Sequence, residues 1–192
     1  MQAIGICGSP RQGGNTEILV RRCLDRLAAA GIGTELVHLG VSTVKPCIAC
    51  GACRKTQDLT CSIKDDDFAP ILAKMLAADI IVVGSPVYYG SATPQTMALL
   101  DRAGYVTGAS GRALAHKIGG PIVVARRAGQ NFTYAQLVYW YTINDMVVAG
   151  STYWNIAFGR EKEQVLEDTE GLRTVDHFAD NLIWLASKLV EK

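Results

Sequence analysis

The chain of 192 residues predicts an α/β domain built on a doubly wound parallel sheet, with helices on both faces. Three observations carry that prediction. Short apolar runs of strand length alternate with amphipathic helical patterns along the chain. Runs such as Ala3–Cys7 and Ile80–Val83 are apolar throughout, as expected of strands buried on both faces. No internal repeat, low-complexity tract or linker interrupts the pattern, so one domain is expected to span residues 1–192.

The first strand is read at 3–7 and the first helix at 15–30, where Ile18, Leu19, Cys23, Leu24 and Leu27 share a face. The second strand is 34–39. A loop of about 25 residues follows, a length usual only for functional segments. Phe68, Ile71, Leu72 and Met75 then form the apolar face of a helix begun by Asp65, Asp66 and Asp67. The third strand, 80–86, ends in Gly-Ser-Pro. The next helix has Thr93 as N-cap and Pro94 at its first position. Residues 104–117 read as a Gly-rich, mobile connection. A fourth strand is placed at 119–126, with Pro121 confined to its beginning because proline cannot donate to a ladder. An aromatic-rich helix at 132–144, a fifth strand at 146–151 and a closing helix at 169–190 complete the pattern. The last helix carries Leu172, Val175, Phe178, Leu182, Leu185 and Leu189 at helical spacing. Five strands alternating with helices fit the flavodoxin-like order 2-1-3-4-5.

Composition excludes several classes. A net charge of +1 lacks the basic excess of a nucleic-acid binder. No window approaches eighteen apolar residues, so no membrane span is expected. Residues 1–10 show no basic region before a long apolar run, so no signal peptide is expected. The expected location is the cytoplasm, where thiols stay reduced.

After strand one comes GSPRQGGNTE, residues 8–17. It matches neither the dinucleotide fingerprint nor a P-loop. It is a loop of small residues emptying into a helix N-terminus, where free N–H groups and the helix dipole favour an anion. Ser9, Asn15 and Thr16 add neutral donors, and Arg11 adds a charge-assisted one. In a doubly wound sheet this loop lies at the switch point where ligands bind. The loop after strand three, residues 84–94, faces the same crevice with Tyr88 and Tyr89. A third segment, 125–133, follows strand four. A phosphate site and two further loops suit a mononucleotide with a large planar head, such as FMN. A plain strand-to-helix turn is the bland alternative.

The long loop, residues 44–64, holds Cys47, Cys50, Cys53 and Cys61 in the spacing C-x2-C-x2-C-x7-C. A reducing compartment and the crowding of the first three argue against disulfides. Three cysteines at three-residue spacing can turn toward one point, and the fourth can swing back to the last corner of a cubane. Zinc sites with four cysteines favour two separated C-x2-C knuckles, which fits less well. Four reduced thiols without metal is the third reading. Cys7 and Cys23 read as core residues. The loop leaves the end of strand two, two strands from strand three, or roughly 10 Å laterally. A cluster there could exchange electrons with a flavin in the crevice.

The chain resembles the iron–sulfur flavoprotein family, a branch of the NAD(P)H-dependent FMN reductase group in the flavodoxin-like superfamily. GICGSPRQGGNTE, PCIACGACRK, CSIKDDD, AADIIVVGSPVYYG and LLDRAGY carry the resemblance across the first 106 residues or so. It implies a 4Fe-4S cluster on Cys47, Cys50, Cys53 and Cys61. It implies FMN held at its phosphate by Ser9, Arg11, Asn15 and Thr16, and near its ring by Pro86, Val87, Tyr88, Tyr89 and Gly90. It also implies a homodimer or homotetramer, with ferredoxin, NAD(P)H or another small redox molecule as partner. The seven-residue gap before Cys61, and Ser62 after it, depart from the usual cysteine run.

The three acidic residues at 65–67 otherwise read as caps and solvent-facing charge. Asp101 and Arg102 read as a solvated helix end, and Tyr139, Trp140 and Tyr141 as core or subunit interface. The three histidines stand apart, and no catalytic residue is assigned. Catalysis would belong to the cofactors. Two rivals stay open: a cluster-free FMN or quinone reductase, and a zinc-stabilised binding module without enzyme activity.

Overall fold

The computed structural model of the chain describes residues 1–190. Five strands follow the expected order β2-β1-β3-β4-β5. They are β1 (Gln2–Cys7), β2 (Gly33–His38), β3 (Ile80–Pro86), β4 (Ile118–Ala125) and β5 (Val147–Val148). Every pairing is parallel. The helices are α1 (Asn15–Ala29), α2 (Ala52–Thr56), α3 (Phe68–Ala77), α4 (Pro94–Ala109), α5 (Gln130–Ile143) and α6 (Thr169–Val190). No described helix is long and apolar enough to cross a membrane.

The sheet separates two cores. On one face Leu19, Cys23 and Leu27 of α1 meet Phe178 and Leu182 of α6 over Ile80, Val82 and Ile122. On the other, Phe68, Leu72, Leu99, Leu137 and Trp140 cover Ile4, Ile6, Ile81 and Val83. Strands with both faces covered have no polar side, which is why the apolar runs showed no alternation. Helices α1 and α6 are also joined by two forked ion pairs, Arg22 to Asp176 and Arg26 to Asp180, with bonds of 2.6–2.8 Å.

The edge beside β4 departs from expectation. The fifth strand shrinks to two residues, and a sixth, β6 (Ile156–Phe158), takes the upper half of the same edge. Between them Asn155 is fully buried. Its amide donates to the Pro121 carbonyl at 3.2 Å, and its carbonyl accepts the Val123 N–H at 2.8 Å. An irregular connection, residues 149–155, between two such short strands leaves almost no periodic signal.

Pro121 is not at the start of β4. It is the fourth residue of a buried eight-residue strand, opposite Val83. Its carbonyl accepts the Asn155 side-chain amide, and its ring nitrogen faces the same side, into the gap between β5 and β6 where no ladder donor is needed. On the other side of β4, the Tyr141 hydroxyl from α5 accepts the Val83 N–H at 3.0 Å and stands 2.9 Å from the Gly120 carbonyl and 3.1 Å from that of Ile81. One phenol thus bridges β3 and β4 at this point. Burial pushes this phenol's pKa up, so it remains a neutral donor. The connection expected at 104–117 is half helix, because α4 continues to Ala109 through Gly104 and Gly108. The five-residue α2 inside the cysteine loop is also new.

Candidate functional site

Two cavities belong to the loops singled out above. The first, about 300 Å³, lies at the C-terminal ends of β1, β3 and β4. It is lined by Ser9, Arg11, Asn15, Thr16, Pro86, Val87 and Tyr88, seven of the nine predicted contacts. Helix α1 begins after Gly14, and no side chain caps it. Its first-turn N–H groups therefore remain available to an anion.

Local tethers shape this cavity. Thr93, the N-cap of α4, gives its hydroxyl proton to the Gly8 carbonyl at 2.7 Å, joining the first loop to the loop after β3. A Cβ at Gly8 would lie 1.8 Å from the Thr96 hydroxyl, so only glycine permits this approach. Below the first loop, Glu17 accepts the Gly13 N–H at 2.6 Å and the Arg21 Nε–H at 2.8 Å. Its Oε2 is 3.2 Å from His38 Nε2. Burial pushes the Glu17 carboxyl up, but Gly13, Arg21 and His38 outweigh it and hold it below its ordinary pKa.

Three predicted contacts behave differently. Tyr89 is fully exposed and, with Gly90, forms the tip of a tight turn closed by Tyr88 and Ser91. Both tip residues have positive φ, 52° and 79°. Neither lines the cavity. Asn15 lines it, but its amide is engaged: it donates to the Glu161 carbonyl at 2.8 Å and accepts the Val165 N–H at 3.3 Å. Asn15 thereby holds an arm, residues 159–162, over the cavity. That arm adds Arg160 and Lys162, and the third loop adds Arg126. Sequence reasoning missed the arm, because nothing local ties residues 159–162 to a loop 150 residues earlier.

The second cavity, about 220 Å³, is lined by all four loop cysteines together with Ser62, Arg54, Arg102 and Tyr105. No group of three or more His, Cys, Asp or Glu among the described residues is gathered around a single ion. Cys50 Sγ is 3.1 Å from the Ser62 hydroxyl. That contact, with the Ala52 N–H, holds the Cys50 thiol below its ordinary pKa. By contrast burial pushes Cys7 up to about 12 and raises Cys23 as well, which leaves both as inert core thiols.

The acidic run is only partly solvent-facing charge: the Asp65 side chain is 76% exposed, whereas that of Asp66 is 1% exposed. Asp67 accepts the Thr43 N–H at 2.7 Å and gives its own N–H to the Thr43 carbonyl at 2.9 Å. Asp65 pairs with the Lys45 ammonium, and Asp66 accepts the Lys45 N–H at 2.9 Å. The three carboxylates therefore close the neck of the cysteine loop. Arg102 is not a solvated helix end. It is 1% exposed, paired with Asp66 and stacked 3.9 Å from the Phe68 ring centre. Adjacency on a helix had suggested surface, but only Asp101 points outward.

The donor sets fit the two groups expected. Uncapped N–H groups, two hydroxyls and four cations suit a phosphate, and Pro86, Val87, Tyr88 and Val124 offer a half-apolar wall for a planar ring. Four thiols around one cavity suit a four-cysteine cluster.

Residues 1–161 match the family described as NADPH-dependent FMN reductase. An iron–sulfur flavoprotein of Methanocaldococcus jannaschii is 36% identical, and the match covers 100% of both chains. An iron–sulfur flavoprotein of Methanosarcina thermophila is 37% identical over 95% of this chain and 93% of that one. Among solved structures, RosB with a bound formylriboflavin phosphate superposes with a TM-score of 0.76 at 15% identity, over 100% of this chain and 81% of the other. A WrbA-like flavodoxin of Agrobacterium tumefaciens does so at 0.68 and 15%, over 97% and 98%.

Proposed function

Since the chain belongs to the NADPH-dependent FMN reductase family, among its iron–sulfur flavoproteins, we propose that it couples FMN in the first cavity to a 4Fe-4S cluster in the second. It is an FMN-dependent oxidoreductase of flavodoxin-like fold. The observation that carries the two-centre reading is the assembly of four cysteines, spread over fifteen residues of sequence, around one cavity.

FMN exchanges electrons in pairs or singly, whereas an iron–sulfur cluster exchanges them singly. The protein supplies position and charge. Ser9, Thr16 and the first-turn N–H groups of α1 would bind the phosphate. Arg11, Arg126, Arg160 and Lys162 would neutralise it. Pro86, Val87, Tyr88 and Val124 would wall the ring. Cys47, Cys50, Cys53 and Cys61 would hold the cluster. Helix α4 connects the sites: it is tethered to the first loop at Thr93 and lines the cysteine cavity from Arg102. That span is roughly 14 Å along the helix axis.

The donor is ferredoxin or NAD(P)H, and the acceptor is a small molecule or a second protein. Exposed Tyr105, Tyr139 and Ile143 on α4 and α5 support self-association into a dimer or tetramer. Reduced thiols and the absence of any bridged pair among the described residues fit the cytoplasm.

Protein purified without air and analysed for flavin, iron and acid-labile sulfide tests the reading. Stoichiometric flavin with iron and sulfide is expected, and Cys50→Ser should remove the latter two alone. Flavin without iron or sulfide in the unaltered protein returns the cluster-free reductase.

A further inference from the structure

We propose that Arg102 is the positioning residue for the cluster. Its guanidinium fixes the separation of the outermost cysteines and presents a hydrogen-bond donor to the sulfur-lined cavity. The inference rests on the two-centre reading above.

A buried arginine is tolerated only when its charge and its five N–H groups are satisfied. Here Asp66, 1% exposed at its side chain, supplies the countercharge. Nη1 donates to Asp66 and to the Lys45 carbonyl at 3.1 Å. Nη2 donates to the Ile63 carbonyl at 3.2 Å and to Asp66 Oδ1 at 3.4 Å. These bonds leave only the Nε–H, which has no partner among the described residues. The same side chain lines the four-cysteine cavity.

The two carbonyls are significant. Lys45 lies two residues before Cys47, and Ile63 lies two residues after Cys61. One planar fork therefore grips both ends of the ligand-bearing segment, just outside its first and last cysteines. Cys61, isolated by the long gap, gains from this grip the fixed place that spacing alone does not give it. The stacking of the guanidinium on Phe68 sets the plane of the fork. Because Asp66 offsets the charge, Arg102 acts on a cluster chiefly through geometry and through the dipole of one N–H. A donor aimed at cluster sulfur favours the reduced state.

Arg102→Gln, Arg102→Lys and Asp66→Asn are made in the full chain and purified without air beside the unaltered protein. Flavin, iron and sulfide are counted, and the cluster's potential is titrated by electron paramagnetic resonance. Arg102→Gln is expected to keep its flavin and lose iron to a chelator about tenfold faster, and its remaining cluster should titrate at a more negative potential. Arg102→Lys retains charge without the fork and should lose iron at nearly the same increased rate. If the glutamine variant does not fold, Asp66→Asn decides. It leaves the guanidinium uncompensated beside the cavity and should move the potential in the positive direction. Unchanged iron loss and potential in Arg102→Gln, or in Asp66→Asn where the former is insoluble, overturn the proposal. So does Arg102→Lys with wild-type retention, since charge without geometry would then suffice. Unaltered protein with flavin but no iron overturns the cluster reading and this proposal together. An iron-loaded protein indifferent to Arg102 overturns this proposal alone.

Discussion

Replacing Tyr141 by Phe removes one oxygen from the centre of the sheet and leaves the ring's packing intact. The loss falls on the Val83 N–H, 3.0 Å from that oxygen, and on a carbonyl of Gly120 or Ile81. The hydroxyl stands between that N–H and the Gly120 carbonyl, the acceptor that β4 offers on this side. The site is fully buried, so water does not reach it either. An orphaned buried donor costs about 1–3 kcal/mol. With a urea dependence of about 2–3 kcal/mol per molar, the midpoint should fall by roughly 0.3–1.5 M at an unchanged slope. Urea unfolding of flavin-free protein, followed by circular dichroism, measures this. Tyr139→Phe, at a side chain 70% exposed, is the control and should not move the midpoint. A shift under about 0.2 M for Tyr141→Phe would refute the view that this phenol carries the bridge between β3 and β4.

Arg11→Ala should weaken FMN binding about tenfold and flatten its salt dependence, because one of four cations at the cavity is lost; equilibrium titration at two salt concentrations reads both. Asn15→Ala should weaken flavin binding similarly, by freeing the arm at residues 159–162; faster protease cleavage in that arm is the independent sign. Glu17 is held below its ordinary pKa, so its stabilisation is complete above the unfolded value of about 4.3 and is lost as pH falls through the folded value. Melting temperatures across pH 3–7 should therefore converge between wild type and Glu17→Gln at the acid end and separate above it. Tyr89→Ala should leave FMN affinity within twofold, since the ring stands wholly in solvent.

Much of this molecule is legible in its sequence, for physical reasons. Strands at 3–7 and 80–86 announce themselves because both faces are covered, and apolar runs have few other uses. The phosphate loop is legible because anion binding at a helix start is a local property of consecutive residues. The cysteine cavity is legible because its four cysteines are close in sequence. What failed was long-range. Pro121 in mid-strand contradicts a sound local rule, and it is permitted by the gap between β5 and β6 that its nitrogen faces. The arm over the cavity depends on Asn15 meeting residues 161 and 165. The acidic run and Arg102 look like ordinary surface charge until the fold brings them together. In isolation, Asp-Asp-Asp and Asp-Arg carry no sign of burial.

The paired hydrogen bonds between Thr43 and Asp67 bring the two stems of the cysteine segment together. Topologically that makes it a cassette: a loop that departs from and rejoins the scaffold at one place, without contributing a strand. A chain spliced directly from Thr43 to Asp67, with Arg102→Leu to remove the charge that Asp66 had offset, should accordingly still fold and take up flavin. Air that destroyed the inorganic centre would then leave behind a working two-electron domain, not an unfolded one.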